Sequence, residues 1–250
     1  MVLAVFLSLV MGVVLGLLGG GGSILTVPIL VYALGVENKA AIATSLLVVG
    51  VTSAVAAFSH ARADRVRWKT AFSFGAASMA GAFLGGQFAR FLSGTVLLVL
   101  FGALMLVTAV FMWRGKGNGQ AGPGTQQAMW KIGLEGLVVG FATGLVGAGG
   151  GFLVVPALVL LGGLSMRDAV GSSLVVITMK SAAGFLGYLS HVEVDFSLAL
   201  LVTGSAVVGS FAGTALAGKV PQESLRKAFS IFVLGMAIFL LAKELPGIVG

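Results

Sequence analysis

The chain has 250 residues, of which 58% are hydrophobic and only 9% are charged, and it contains 39 glycines and no cysteine. A soluble domain carries roughly 25% charged residues, so this composition excludes a fully water-facing surface and indicates a lipid bilayer as the solvent. The net charge of +7 would suit a nucleic-acid partner, but the basic residues fall between apolar runs, where they set membrane topology. We therefore expect no nucleic-acid partner. The lack of cysteine excludes disulfides and thiolate metal sites.

Eight apolar runs predict an all-α polytopic membrane protein. They cover residues 2–34, 40–59, 70–90, 94–113, 131–163, 168–190, 195–218 and 227–249. A helix needs about 20 apolar residues to cross the hydrocarbon layer. Six runs are near that length, whereas the first and the fifth are longer and contain a glycine cluster. The polar residues 114–130 predict a linker between a first membrane repeat, residues 1–113, and a second, residues 131–250.

The two glycine clusters belong to a duplicated motif. Residues 16–28 read Gly-Leu-Leu-Gly-Gly-Gly-Gly-Ser-Ile-Leu-Thr-Val-Pro. Residues 144–156, which lie 128 positions later, read Gly-Leu-Val-Gly-Ala-Gly-Gly-Gly-Phe-Leu-Val-Val-Pro and are identical at 8 of the 13 positions. Glycine-broken apolar segments at corresponding places in two halves of a membrane protein point to the binding site of a transporter.

The motif predicts an anion site where the two repeats meet. A run of glycines does not hold a helix by itself, so each cluster would leave backbone N–H groups free where the next helix begins. Such helix N-termini attract anions, and two of them near the membrane midplane would bind a small anionic substrate. The alternative is that the glycines serve only a tight hairpin and close packing. The binding residues expected from the motif are Gly20, Gly21, Gly22, Ser23, Gly149, Gly150 and Gly151.

Two pairs of hydroxyl residues extend this candidate site. Thr44 and Ser45 lie early in the second run, and Ser172 and Ser173 recur at the equivalent places in the sixth. Because the pairs recur, we expect them to bond substrate oxygens. The alternative of equal weight is that each hydroxyl bonds its own helix backbone.

Lys180 is the one charged residue in the middle of an apolar run. An intramembrane lysine is costly, which makes it a candidate functional residue by default. We expect Lys180 to neutralise the anionic substrate or to exchange a coupling proton. The alternative is a structural bond to a carbonyl group or to a carboxylate such as that of Glu135.

Loop charge predicts that the two repeats are inverted. If each glycine-broken segment is a hairpin that enters and leaves on one side, eleven basic residues lie on one side of the membrane and three on the other. If every run crosses once, the division is eight to six. Lys and Arg are enriched in cytoplasmic loops, so the uneven division is favoured. We predict two inverted repeats in the cell membrane, each a glycine-broken helical hairpin followed by three transmembrane helices, with both termini outside.

The remaining motifs indicate packing and solvated loops. GxxxG pairs, which are typical of close helix packing and would allow a homodimer, begin at Gly12, Gly81, Gly140 and Gly209. His60 and His191 fall in predicted loops and are expected to be solvated, with proton coupling as the alternative. Neither glycine cluster is followed by Lys and Ser or Thr, so no nucleotide-binding loop is present. We expect no cofactor, no metal site and no enzymatic activity.

With the repeat and its motif established, the chain resembles the TauE/SafE family of sulfite and organosulfur exporters. The resemblance rests on residues 16–28, on Ala43-Thr44-Ser45-Leu46, and on their copies, which include Gly171-Ser172-Ser173-Leu174. It covers nearly the whole chain outside the linker. It implies a secondary transporter of small sulfur-containing anions such as sulfite, sulfonates or thiosulfate. An anion channel of the same architecture and a non-transport intramembrane protein are the alternatives.

Overall fold

The structure, a computed structural model, describes residues 2–114, 129–146, 151–160 and 162–245. Over these residues it contains ten α-helices and no strand, which confirms the all-α prediction. In chain order the helices are α1 (Val2–Leu18), α2 (Thr26–Pro28), α3 (Asn38–Arg62), α4 (Trp68–Phe88), α5 (Gly94–Arg114), α6 (Met129–Val146), α7 (Gly151–Leu160), α8 (Met166–Leu189), α9 (Phe196–Ala217) and α10 (Gln222–Glu244). The predicted linker falls almost wholly on residues 115–128, outside the described ranges.

Three of the long helices begin at polar caps that the sequence supplies. Glu37 accepts hydrogen bonds from two backbone N–H groups in the first turn of α3, both at 3.1 Å. Ser165 accepts one at 3.2 Å at the start of α8, and Asp195 caps α9 in the same way. Side-chain caps satisfy N–H groups that have no partner inside the helix. They fix the points at which α3, α8 and α9 begin.

The first glycine cluster turns the chain back on itself. Gly19 has a φ of +63°, a conformation that favours glycine, and Gly19–Leu25 form tight 3-10 turns. The short α2 and a π-helical turn at Ile29–Ala33 follow. The Thr26 hydroxyl donates to Met11 Sδ at 2.9 Å, so the returning limb packs against α1. The cluster is therefore wound into turns, whereas the sequence suggested an unwound segment.

In the second glycine-broken segment, one helix precedes the cluster and another follows it. α6 ends at Val146 and α7 begins at Gly151, and residues 147–150 between them lie outside the described ranges. Pro156 lies inside α7, where its ring removes one helical hydrogen bond and favours a bend. The helix after the cluster thus begins where the motif predicts.

Four of the described helices are long and apolar enough to cross a bilayer: α3, α8, α9 and Glu223–Glu244 of α10. Shorter apolar helices cover Val2–Leu18, Ser23–Ala33, Gly94–Val110 and Gly133–Val146. By this criterion, the second repeat has its three predicted membrane-spanning helices. In the first repeat, α3 is the one described helix that meets it. Large apolar side chains point outward along the helices, among them Phe6, Phe72, Leu200, Val208 and Ile231. Lipid is the environment that suits them.

Glycine-bearing faces bring the backbones of the two repeats together. At eight glycines of α1, α4, α6 and α9, an added Cβ atom would overlap a backbone carbonyl oxygen of the facing helix. The contacts are Gly12 with Ala206, Gly16 with Ser210, Gly209 with Leu9, Gly213 with Val13, Gly140 with Ser78, Gly144 with Ala82, Gly81 with Leu137 and Gly85 with Phe141. The last four repeat the first four with each partner displaced by 128 positions. The GxxxG faces thus pack within one chain.

These backbone contacts between helices of different repeats define how the repeats interlock. The first helix of each repeat packs on the fourth helix of the other, α1 on α9 and α6 on α4. In both pairs the residue numbers rise together, so the helices are parallel. Other contacts fix further directions. Between α3 and α8, Leu46 meets Gly184 and Gly50 meets Ser181. Between α4 and α8, Gly75 meets Val176 and Gly86 meets Gly187. Between α5 and α10, Gly102 meets Leu241 and Trp113 lies near Ser230. Thus α3 is antiparallel to α8, α4 is parallel to α8, and α5 is antiparallel to α10.

We predict that Gly209→Ala lowers the free energy of unfolding by about 1–3 kcal/mol, because its methyl group would overlap the Leu9 carbonyl oxygen. Gly204→Ala in the same helix is the matched control, since no atom lies within 4 Å of an added Cβ there. It should leave stability unchanged or raise it by up to about 1 kcal/mol. Unfolding in mixed micelles measures both variants. Equal effects would contradict the assigned α1–α9 contact.

Candidate functional site

Lys180 lies in the middle of α8 and is only 1% exposed. Its Nζ donates a hydrogen bond to Thr143 Oγ1 on α6 at 3.0 Å. The Thr143 hydroxyl donates in turn to the carbonyl oxygen of Gly140 at 3.1 Å, so its oxygen lone pairs are left to accept from the ammonium. Gly140 is one of the glycines that pack α6 onto α4. The contact that holds Lys180 is therefore fixed by the packing of α6 on α4.

Lys180 has no carboxylate partner among the described residues. The two ion pairs found there join Arg67 to Asp168 and Lys227 to Glu223. Glu135, the partner considered from the sequence, forms neither. A buried charge is costly unless it is paired, and an ammonium has three donors. The arrangement therefore leaves room for an additional hydrogen-bond acceptor that carries a negative charge to bind Lys180.

The four predicted hydroxyl residues are all buried, but their bonds differ. Ser45 and Ser173 each donate at 2.7 Å to the carbonyl oxygen three residues earlier in their own helix, which is the usual role of serine inside helices. Ser172 Oγ instead accepts the backbone N–H of Arg67 at 2.8 Å. Thr44, its equivalent in the first repeat, lines a pocket of about 430 Å³. Ser45 and Ser173 thus make equivalent bonds, whereas Thr44 and Ser172 have unlike surroundings.

The first glycine cluster lies against the second repeat. A Cβ added at Gly19 would lie 3.0 Å from Ser173 Oγ, so the cluster packs on the first two turns of α8. Its 3-10 turns also pack against α7, which brings the two broken segments together, with Ser23 and Gly151 buried. Three predicted residues have their backbone within these turns: Gly20, Gly21 and Gly22. Two others lie outside the described ranges: Gly149 and Gly150.

The solvated loop position expected for His60 is wrong. His60 lies in the last turn of α3, is 1% exposed, and has its Nε2 3.2 Å from the carbonyl oxygen of Gly16 near the end of α1. Its equivalent 128 positions later is Tyr188, whose hydroxyl donates to the carbonyl oxygen of Leu145 at 2.5 Å. Each side chain therefore binds the end of the helix that leads into a glycine cluster.

His191 lies in the turn between α8 and α9, with its ring 5.3 Å from that of Tyr188. Burial lowers the pKa of the His191 imidazole below its usual range, and the nearby cations of Lys39 and Arg90 lower it further. These surroundings therefore favour the neutral imidazole. Because Lys39 Nζ also donates to the Arg90 carbonyl oxygen at 3.5 Å, these residues mark one end of the helix bundle.

Comparison with known proteins identifies the family. The sequence matches the family model described as "Sulfite exporter TauE/SafE" over residues 4–240. The chain belongs to the TauE/SafE family. It is accordingly a membrane transporter of that family, and the resemblance drawn from the duplicated motif is confirmed.

Relatives of this TauE/SafE protein have matching descriptions. A "Probable membrane transporter protein" of Xylella fastidiosa is 34% identical over 244 residues, which cover 95% of this chain and 94% of that protein. A protein of the same description from Methanocaldococcus jannaschii is 27% identical over 254 residues, with 96% and 94% covered. One from Bacillus subtilis is 24% identical over 230 residues, with 90% and 94% covered. No solved structure matches the chain.

Sequence reasoning missed Thr143 and the pairing of Arg67 with Asp168. The repeat equivalent of Thr143 is Leu15, so the duplication gives no signal for it. In the sequence, Arg67 is one of the basic loop residues whose simplest interpretation is a topology signal, with lipid headgroup binding as the alternative. The repeat equivalent of Arg67, 128 positions later, is Asp195. This reversal of charge at equivalent places is the sequence signal that could have singled out Arg67.

We predict that Ser172→Ala lowers the free energy of unfolding by about 1–3 kcal/mol, because it removes the acceptor of the part-buried Arg67 N–H group. Ser173→Ala is the matched control on the same helix. Among the described residues its hydroxyl bonds only the carbonyl oxygen of Val170, so the loss should stay below about 1 kcal/mol. Unfolding in mixed micelles distinguishes the two. Equal losses would contradict the structural role assigned to Ser172.

Proposed function

We propose that this TauE/SafE protein is a secondary transporter that carries small sulfur-containing anions, of the sulfite, sulfonate or thiosulfate class, across the cell membrane by alternating access. The family description as sulfite exporters supports the substrate class. The observation that carries the proposal is the buried Lys180 amino group, bonded to Thr143 and without a carboxylate partner in the described part of the chain. An anion at this place would supply the missing negative charge.

The repeats are inverted in this proposal, and the helix directions support that arrangement. With a hairpin at each glycine-broken segment, inverted repeats require α1 parallel to α9, α4 parallel to α8, and antiparallel pairs α3–α8 and α5–α10. The contacts of the described helices have these directions. Repeats of like orientation, with every run crossing once, would require α3 parallel to α8 and α5 parallel to α10. Transporters with inverted repeats bind their substrate where the repeats meet.

The positions of the charged loops support an orientation with both termini outside. At one end of the bundle, Arg65 approaches Gly218, and Arg167 donates to a backbone carbonyl of the α9–α10 connection at 3.3 Å. At the other end, Lys39 bonds the carbonyl oxygen of Arg90. These groupings agree with the eleven-to-three division of basic residues. The end that carries Arg65 and Arg167 is therefore the cytoplasmic one in this proposal.

Flux of radiolabelled sulfite into proteoliposomes tests the function. Saturable uptake that a sulfonate inhibits is expected of a carrier, and dependence on an imposed pH gradient would reveal a coupling proton. Flux that does not saturate would favour an anion channel of the same architecture. No flux above that of empty liposomes for sulfite, a sulfonate or thiosulfate would contradict the substrate class.

We predict that Lys180→Met lowers the flux by about 10- to 100-fold, the effect expected for losing one hydrogen bond to a charged group. Lys180→Arg keeps the positive charge and should retain part of the flux. Lys219→Met is the matched control, because it removes a lysine that is exposed to solvent. Full flux in Lys180→Met would contradict the proposed role of the ammonium.

A further inference from the structure

Equivalent connections at the two ends of the bundle have opposite charge. Arg65-Val66-Arg67 precede α4, and the residues 128 positions later, Glu193-Val194-Asp195, precede α9. Each triplet faces the first turns of a central helix, α8 at the cytoplasmic end and α3 at the other. In the alternating-access function proposed above, a pathway from the centre would reach each surface at two such equivalent places.

The cytoplasmic end is closed. Arg67 Nη2 lies 3.0 Å and Nε 3.1 Å from Asp168 Oδ2, and the Arg67 backbone N–H bonds Ser172 Oγ. A Cβ at Gly171 would overlap the carbonyl oxygen of Arg65, so the connection lies directly on the α8 backbone. The connection between α3 and α4 thus seals the start of α8 through side-chain and backbone contacts.

The opposite end has a pocket at the equivalent place. The pocket of about 430 Å³ lies between Ala40 and Thr44 of α3 and the residues Glu193 and Asp195. Asp195 takes the place of Arg67, Thr44 that of Ser172, and Ala40 that of Asp168. Ala40 has no charge with which to hold Asp195. Among the described residues, no hydrogen bond joins Thr44 to Asp195 as Ser172 joins Arg67.

We propose that Arg67 and Asp168 form the closed gate of the substrate pathway at the cytoplasmic end, and that the Thr44 pocket is the open end of the same pathway. This inference rests on the alternating-access function proposed above. When the gate opens, Arg67 leaves Asp168 and its guanidinium becomes available to an oxyanion, which it can bind through two parallel N–H groups. Arg67 then acts as both gate and first binding group for the anion.

The chain contains no cysteine, so single cysteines report access directly. We expect Thr44→Cys, in protein held in lipid nanodiscs, to react with a small methanethiosulfonate reagent at least about tenfold faster than Ser172→Cys, because Thr44 lines the pocket at the end proposed to be open, whereas Ser172 is covered by Arg67. Both faces are accessible in nanodiscs, so neither topology nor substrate identity enters the result. Equal rates would overturn the proposal.

Breaking the gate should narrow this difference in rate. Asp168→Asn added to each cysteine variant should accelerate labelling at Ser172→Cys and slow it at Thr44→Cys. The exchanged pair Arg67→Asp with Asp168→Arg should restore the original rates. Glu223→Gln is the matched control, because it breaks the other ion pair of the described chain, to Lys227, and should change neither rate. Unchanged labelling in Asp168→Asn would overturn the gate.

A cross-link provides a second test that does not use a cysteine at residue 172. Arg67→Cys with Asp168→Cys, joined by a short reducible bifunctional thiol reagent, should abolish sulfite flux, and a reductant should restore it. Flux that persists in the cross-linked protein would overturn the gate. If the labelling pattern holds while no sulfur anion is transported by the unmodified protein, the gate stands and the substrate class fails.

Discussion

The structure depends on backbone contact between the glycine faces of α1 and α9 and of α6 and α4. In a bilayer, helices gain little by hiding apolar side chains from one another, so close van der Waals packing between small residues becomes the main source of attraction. Because each pair takes one helix from each repeat, neither repeat can satisfy its glycine faces alone. The duplication therefore yields one interlocked bundle.

The same contacts set the position of the polar groups inside. Gly140 brings α6 against α4, and one turn later Thr143 receives Lys180 from α8. At the ends of α1 and α6, carbonyl groups near the glycine clusters bond to His60 and Tyr188, two unlike residues at equivalent positions. A helix that stops at a glycine cluster leaves carbonyl oxygens without a partner in the helix. Either a histidine or a tyrosine can satisfy one of them, which explains why the repeat preserves the function of this position and not its residue.

Much of this architecture follows from the sequence, because repeats and apolar length are local properties. The amino-acid sequence alone indicates the glycine clusters, the helix after each of them and the isolated Lys180. His60 could not be placed, since a histidine beside a basic stretch looks like a loop residue until the partner carbonyl of Gly16, 44 positions away, is known. Thr143 has an apolar equivalent, Leu15, so the duplication conceals it. What the sequence lacks in each case is the long-range pairing of helices.

The strength of the contacts determines which parts can move. The carbonyl groups packed on Gly12, Gly16, Gly209 and Gly213 leave no space for sliding, so α1 and α9 should move as one unit, and α4 and α6 as another. The contact between Arg67 and Asp168 is of a different kind. Arg67 has 55% of its side chain exposed, and exposed ion pairs are worth roughly 0–1 kcal/mol, so this contact can break at little cost. In the proposed alternating access, the two glycine-locked helix pairs would therefore lean in turn against the central helices α3 and α8, and one whole repeat would not rock against the other.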